Sequence, residues 1–97
     1  MKMDIVSEKR EQQSIHYYCL LTDHYRYDLM VAYSDYFLGK AMVTSLQSGQ
    51  MVLLCSEDIE TEQYWAPKLG IEKQDVEEFQ HFFHLILQSQ GYVEQYC

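Results

Sequence analysis

Four charged side chains sit in or beside segments that otherwise look built for a core: Arg26, Asp28, Lys40 and Asp58. Arg26 and Asp28 are two residues apart, so they project from the same side of an extended chain. Lys40 opens one strand-like run and Asp58 follows another. A guanidinium can grip a carboxylate through two parallel N–H donors. If these four groups gather at one sheet edge, they would form a recognition patch with Tyr25, Tyr27, Tyr33 and Tyr36 as aromatic anchors. The plainer alternative is a solvated ion-pair cluster, worth about 0–1 kcal/mol when exposed.

Other constellations are thinner. His81 and His84 are three apart on a helical stretch, within a turn of Glu77 and Glu78, which is a spacing that can hold a metal. No H-E-x-x-H or other matching ligand set accompanies them, so the pair reads as the polar flank of a helix and no metal is expected. Cys19 or Cys55 could be paired with His16 or His24, but a thiol buried in a strand is a poor nucleophile. There is no nucleophile elbow, no P-loop and no dinucleotide fingerprint, and the chain holds only four Gly. No catalytic set and no cofactor are therefore expected.

The elements that must carry these residues follow from periodicity. Alternation predicts strands over about 14–22, 25–34, 41–47 and 50–55. In the first, Ile15, Tyr17, Cys19 and Leu21 oppose His16, Tyr18 and Leu20. In the second, Tyr27, Leu29, Val31 and Tyr33 oppose Arg26, Asp28, Met30 and Ala32. Gly39 reads as a position of positive φ, and Ser48-Gly49 as a tight hairpin turn. The fourth strand is apolar on both faces, which predicts a central or covered position. Ser56, Glu57 and Asp58 offer N-cap residues for a short helix that Pro67 cannot continue and Gly70 closes. Val76, Phe79, Phe82, Phe83, Ile86 and Leu87 then mark an amphipathic helix over about 73–90, with Glu72, Asp75, Glu77 and Glu78 crowding its positive end. Gly91 is a candidate cap after it.

The fold class expected is α+β: a four-stranded antiparallel β-meander packed against a C-terminal amphipathic helix, with a short helix between. Residues 1–13 read as a flexible N-terminal lead-in, 14–91 as one α+β domain and 92–97 as a tail.

The balance of 15 acidic against 7 basic residues, a net charge of −8, removes the basic footprint that nucleic acids and anionic membranes require. No apolar run reaches the ~20 residues that span a bilayer, and the first residues lack the apolar region of a secretory signal. The three cysteines are odd in number and widely spaced, so neither zinc nor a disulfide framework is expected. Cys19 and Cys55 read as small buried residues, and the compartment as a reducing cytosol. Nine Tyr, four Phe and one Trp suit either a half-buried sheet surface or an aromatic binding face.

The motifs R-Y-D-L (26–29), Y-S-x-x-F-x-G-K (33–40), L-Q-S-G (46–49) and E-D-I-E (57–60), followed by a C-terminal helix, give the chain a resemblance. It resembles, over about residues 15–87, a domain-of-unknown-function family of small cytosolic proteins from Firmicutes. The resemblance implies a bacterial cytosolic origin and no particular activity. It draws attention to Arg26, Asp28, Lys40, Gln47 and Asp58, which fall on motif positions and are the candidate binding residues. The functional expectation is a non-enzymatic protein-interaction or regulatory module with a protein partner, and an edge strand suited to homodimer pairing. If the first strand is that edge, a lysine at Tyr18 should weaken self-association. The alternative is a small-ligand-binding protein or enzyme using Arg26, Asp28, Lys40 and Asp58.

Overall fold

The computed structural model describes residues 2–88. Four strands, β1 (Ser14–Leu21), β2 (Arg26–Tyr33), β3 (Ala41–Ser45) and β4 (Met51–Leu54), form one antiparallel sheet in the order β1-β2-β3-β4. Two helices follow, α1 (Glu62–Leu69) and α2 (Val76–Gln88). The α+β meander read from periodicity is therefore the fold. The tail at 92–97, the Gly91 cap and the last turn of the predicted helix lie outside the described residues. Residues 2–13 carry no regular structure and are exposed; Glu11 holds on to the Ser34 hydroxyl at 2.7 Å.

Register decides which face is which. Tyr18 stands opposite Leu29 and Leu20 opposite Tyr27, whereas Cys19 stands opposite Asp28 and Tyr17 opposite Met30. The first set faces the helices. Leu29, Val31, Val43, Val52 and Leu54 line this inner face and meet Trp65 and Leu69 of α1 and Phe79, Phe83 and Leu87 of α2. Trp65 and Phe83 meet edge to face at 5.1 Å, the preferred geometry for two aromatic quadrupoles. The second set faces away from both helices: Ile15, Tyr17, Leu21 and Met51 are exposed, and Met30, Met42 and Leu53 are half-buried. Ala32 on this face is buried, with Ile15 and Met42 flanking it across the strands.

Several local expectations change. β4 is an edge strand; its second apolar face belongs to the open side of the sheet, and α1 packs along it. The β3–β4 connection is longer than a two-residue hairpin. It closes with the Ser45 N–H donating to Gln50 O at 2.9 Å, and Gly49 takes a φ of 74°. Gly39 takes a positive φ as read, and Leu38 beside it does too. Pro67 lies inside α1, in a final turn that ends two residues later at Leu69 and is capped by the left-handed Gly70. There the Ile71 N–H donates to Ala66 O at 2.9 Å, which satisfies a terminal carbonyl.

Phe83 is fully buried between sheet and α1, so truncation leaves a cavity the rigid neighbours cannot fill. Phe83→Ala should cost about 3–5 kcal/mol, read as a lowered urea midpoint at unchanged m-value.

Candidate functional site

Of the five candidate residues, three come together. Asp28 sits on the open face of β2, and its backbone carbonyl accepts the Leu46 N–H at 2.9 Å just past the end of β3. That contact delivers Gln47. Its amide donates to Asp28 Oδ2 at 2.7 Å, while its carbonyl accepts the Asp28 backbone N–H at 3.0 Å. Arg26, two residues back on the same face, reaches Asp28 at 3.3 Å. Partial burial alone would raise the Asp28 carboxyl; the hydrogen bonds from Arg26, Gln47 and Cys19 outweigh it and hold the group below the usual range. The hydrogen bond and charge of Asp28 raise the Arg26 guanidinium in return.

Lys40 and Asp58 form a separate pair, Nζ to Oδ2 at 2.9 Å. The same oxygen accepts the Cys55 backbone N–H at 3.0 Å, which closes the 3-10 turn Ser56–Asp58 after β4. Lys40 precedes β3, whereas Gln47 follows it. At 3.3–3.4 Å per residue, the two ion pairs stand about 20 Å apart at opposite ends of the sheet. The four charges therefore do not gather at one edge. An open cleft of about 290 Å³ adjoins Arg26 and Gln47, with Tyr25, Leu69 and Glu72 on its other walls. It stands at the small end of small-molecule pockets, roughly 300–1,000 Å³, and is open where those are mostly enclosed.

The remaining constellations scatter. His84 turns to Glu60 at 3.0 Å, and His81 is exposed. Among the described residues, no three His, Cys, Asp or Glu groups are placed to hold a metal. Cys19 is exposed on the open face and not buried, because register puts it on the Asp28 side of β1. Cys55 is buried, as its place after β4 leads one to expect.

The strongest polar assembly is one that pattern reading assigned only to helix-end charge. The Asp75 side chain is fully buried just ahead of α2. It accepts the Tyr27 hydroxyl at 2.6 Å, the Thr22 hydroxyl at 3.0 Å and His24 Nδ1 at 3.2 Å. A carboxylate only accepts, so the His24 proton lies on Nδ1 in this contact. The Thr22 oxygen accepts the backbone N–H groups of His24 and Tyr25, both at 3.1 Å. Tyr27 in turn accepts the Glu72 N–H at 3.2 Å. Every group is used in tying the β1–β2 turn to the start of α2. The partners lie 48 to 53 residues apart in the chain, so no local spacing could reveal them.

With this geometry in place, comparison with known proteins becomes informative. A family model described as SAV0927-like matches residues 7–85. The chain belongs to the SAV0927-like family. No curated protein matches it. Membership in the SAV0927-like family establishes kinship across most of the chain and transfers no chemistry. No helix among the described residues is long and apolar enough to cross a membrane.

The Asp75 node sets a pH dependence. Burial raises the Tyr27 hydroxyl to about 12, and its bond to Asp75 adds to this. The unfolded chain thus loses that proton first, and the stability Tyr27 contributes is whole below pH about 10 and lost toward pH 12. Burial would raise Asp75, but its bonds from Tyr27, His24 and Thr22 win and lower it. Its contribution is whole above pH about 4 and lost as pH falls through the lower native value. Urea midpoints across pH should therefore fall at both ends. Tyr27→Phe should flatten the alkaline fall and Asp75→Asn the acid one; unchanged profiles would contradict the assignment.

Proposed function

We propose that this protein is a non-enzymatic interaction module that works by self-association, with β1 as its contact element. The observation that carries the reading is the state of β1. It is an eight-residue edge strand with no charged residue and no proline, and among the described residues no helix covers its outer edge. Natural sheets blunt their edges with short strands, lysines, prolines or covering segments, since an open row of N–H and C=O groups templates further pairing. β4 follows that rule: it is four residues long, and the Tyr64 hydroxyl of α1 donates to Leu53 O at 3.2 Å. β1 does not.

Arg26, Asp28 and Gln47 flank the end of β1, with Arg26 opposite Leu21. In this reading they form the polar rim of the contact, and the Arg26 guanidinium is the group suited to a partner's carboxylate. Lys40 and Asp58 stand at the other end and hold the turn after β4. A small-ligand or catalytic site built on Arg26, Asp28, Lys40 and Asp58 draws no support from charges about 20 Å apart. The reading keeps the setting that the resemblance suggests, the cytoplasm of a Firmicutes bacterium.

Tyr18 is unsuited to test the contact, because its ring packs on Phe82 at 5.0 Å and a lysine there would disturb the core margin. Tyr17 points outward and is 71% exposed. In sedimentation equilibrium the wild-type chain should reach twice its monomer mass. Tyr17→Lys should weaken association at least tenfold while changing the urea stability of the monomer by only about 0.5 kcal/mol. Association should also tighten with added salt, since each copy carries −8. A monomer at every concentration and salt would overturn the reading.

A further inference from the structure

Resting on that self-association, the backbone geometry specifies how the two copies meet. In an antiparallel ladder, residues alternate between pairs that exchange both backbone hydrogen bonds with the neighbour and pairs whose groups point away. The Thr22 N–H donates to Tyr25 O at 3.0 Å, so Thr22 turns its backbone N–H toward β2. Counting back along the register, Leu20, Tyr18, His16 and Ser14 bond to β2. Ile15, Tyr17, Cys19 and Leu21 turn their N–H and C=O groups to the free edge. None of the described residues outside β1 engages those groups.

A second copy running antiparallel about a twofold axis can engage only these outward residues, so alternate registers are excluded by parity. We infer that two copies pair β1 to β1 about an axis at Tyr18, with Ile15 opposite the partner's Leu21 and Tyr17 opposite the partner's Cys19. This register pairs all four outward residues of each strand. The neighbouring one, centred on Tyr17, leaves Leu21 unpaired within the strand.

Side chains agree with the same axis. On the helix face, Tyr18 would meet the partner's Tyr18 as a close, non-bonded pair, a favourable aromatic contact. Each Tyr18 already sits edge-on to Phe82, and Leu85, one turn further along that flank of α2, is 74% exposed. His16 would face the partner's Leu20, so no like charges oppose each other anywhere along the strand. The wall formed by β1 above α2 measures about 26 Å by roughly 20 Å, from strand rise and the thickness of two layers. That is on the order of 500 Å² per copy, or about 1,000 Å² per pair, the lower bound for a specific interface and the size of a weak, reversible one. The product is one continuous sheet through both copies.

Site-directed crosslinking tests the register separately from self-association. Ile15→Cys with Leu21→Cys, in a Cys19→Ser background, should give a covalent dimer on mild oxidation, with residues 15 and 21 linked between copies. Ile15→Cys alone, which keeps Cys19, should not link 15 to 19. Positions 15 and 21 are too far apart on one extended strand to link within a chain. Mass spectrometry identifies the linked residues, and circular dichroism confirms that the variants fold. A 15–19 link would move the axis to Tyr17 and overturn the register while leaving self-association standing. A sedimentation dimer with neither link would remove β1 from the interface. A monomer throughout would overturn the functional reading itself.

Discussion

One buried carboxylate fixes the geometry from which the rest follows. An ionised group removed from water is tolerated only when donors replace its hydration. Asp75 finds three, all on the β1–β2 hairpin. Since losing a donor would leave charge exposed to a low-dielectric interior, the hairpin and the start of α2 must move together. The node thereby sets α2 beneath β1 and β2, where Phe79 and Phe83 can join Leu29 and Val31.

Much of this was legible in the sequence because alternation has a fixed period. β2 reads cleanly, since its two faces differ in kind: Tyr27, Leu29, Val31 and Tyr33 against Arg26 and Asp28. β1 reads as a strand but not as an oriented one. Both of its faces carry apolar residues, and only pairing with β2 decides that Tyr18 goes in and Cys19 goes out. The double apolar character of β4 misled for the same reason: Met51 and Leu53 belong to an uncovered face, and pattern alone cannot tell that from a second core. Pro67 was read as a helix stop, yet it fits a last turn whose closing bonds are made by Gly70 and Ile71. Asp75 could not be found, because its meaning lies in contacts across half the chain.

The motif residues sort themselves into pairs that the linear order hides. R-Y-D-L and L-Q-S-G meet where Asp28 exchanges hydrogen bonds with Gln47. Y-S-x-x-F-x-G-K and E-D-I-E meet where Lys40 reaches Asp58. One junction sits at each end of β3, the shared central strand. Both brace loops against the sheet. The first is also open to solvent beside β1, whereas the second is folded into a turn.

Tyr64 carries a consequence out of proportion to its single hydrogen bond. A sheet with two bare margins can recruit copy after copy and grow into a filament, because every addition exposes a fresh template. Here the hydroxyl on Leu53 O occupies one margin. A chain with one bare margin can be satisfied once, by one neighbour of the same kind, after which nothing remains to extend. On the proposed self-association, the ring of Tyr64 would thus act as a stop on polymerisation.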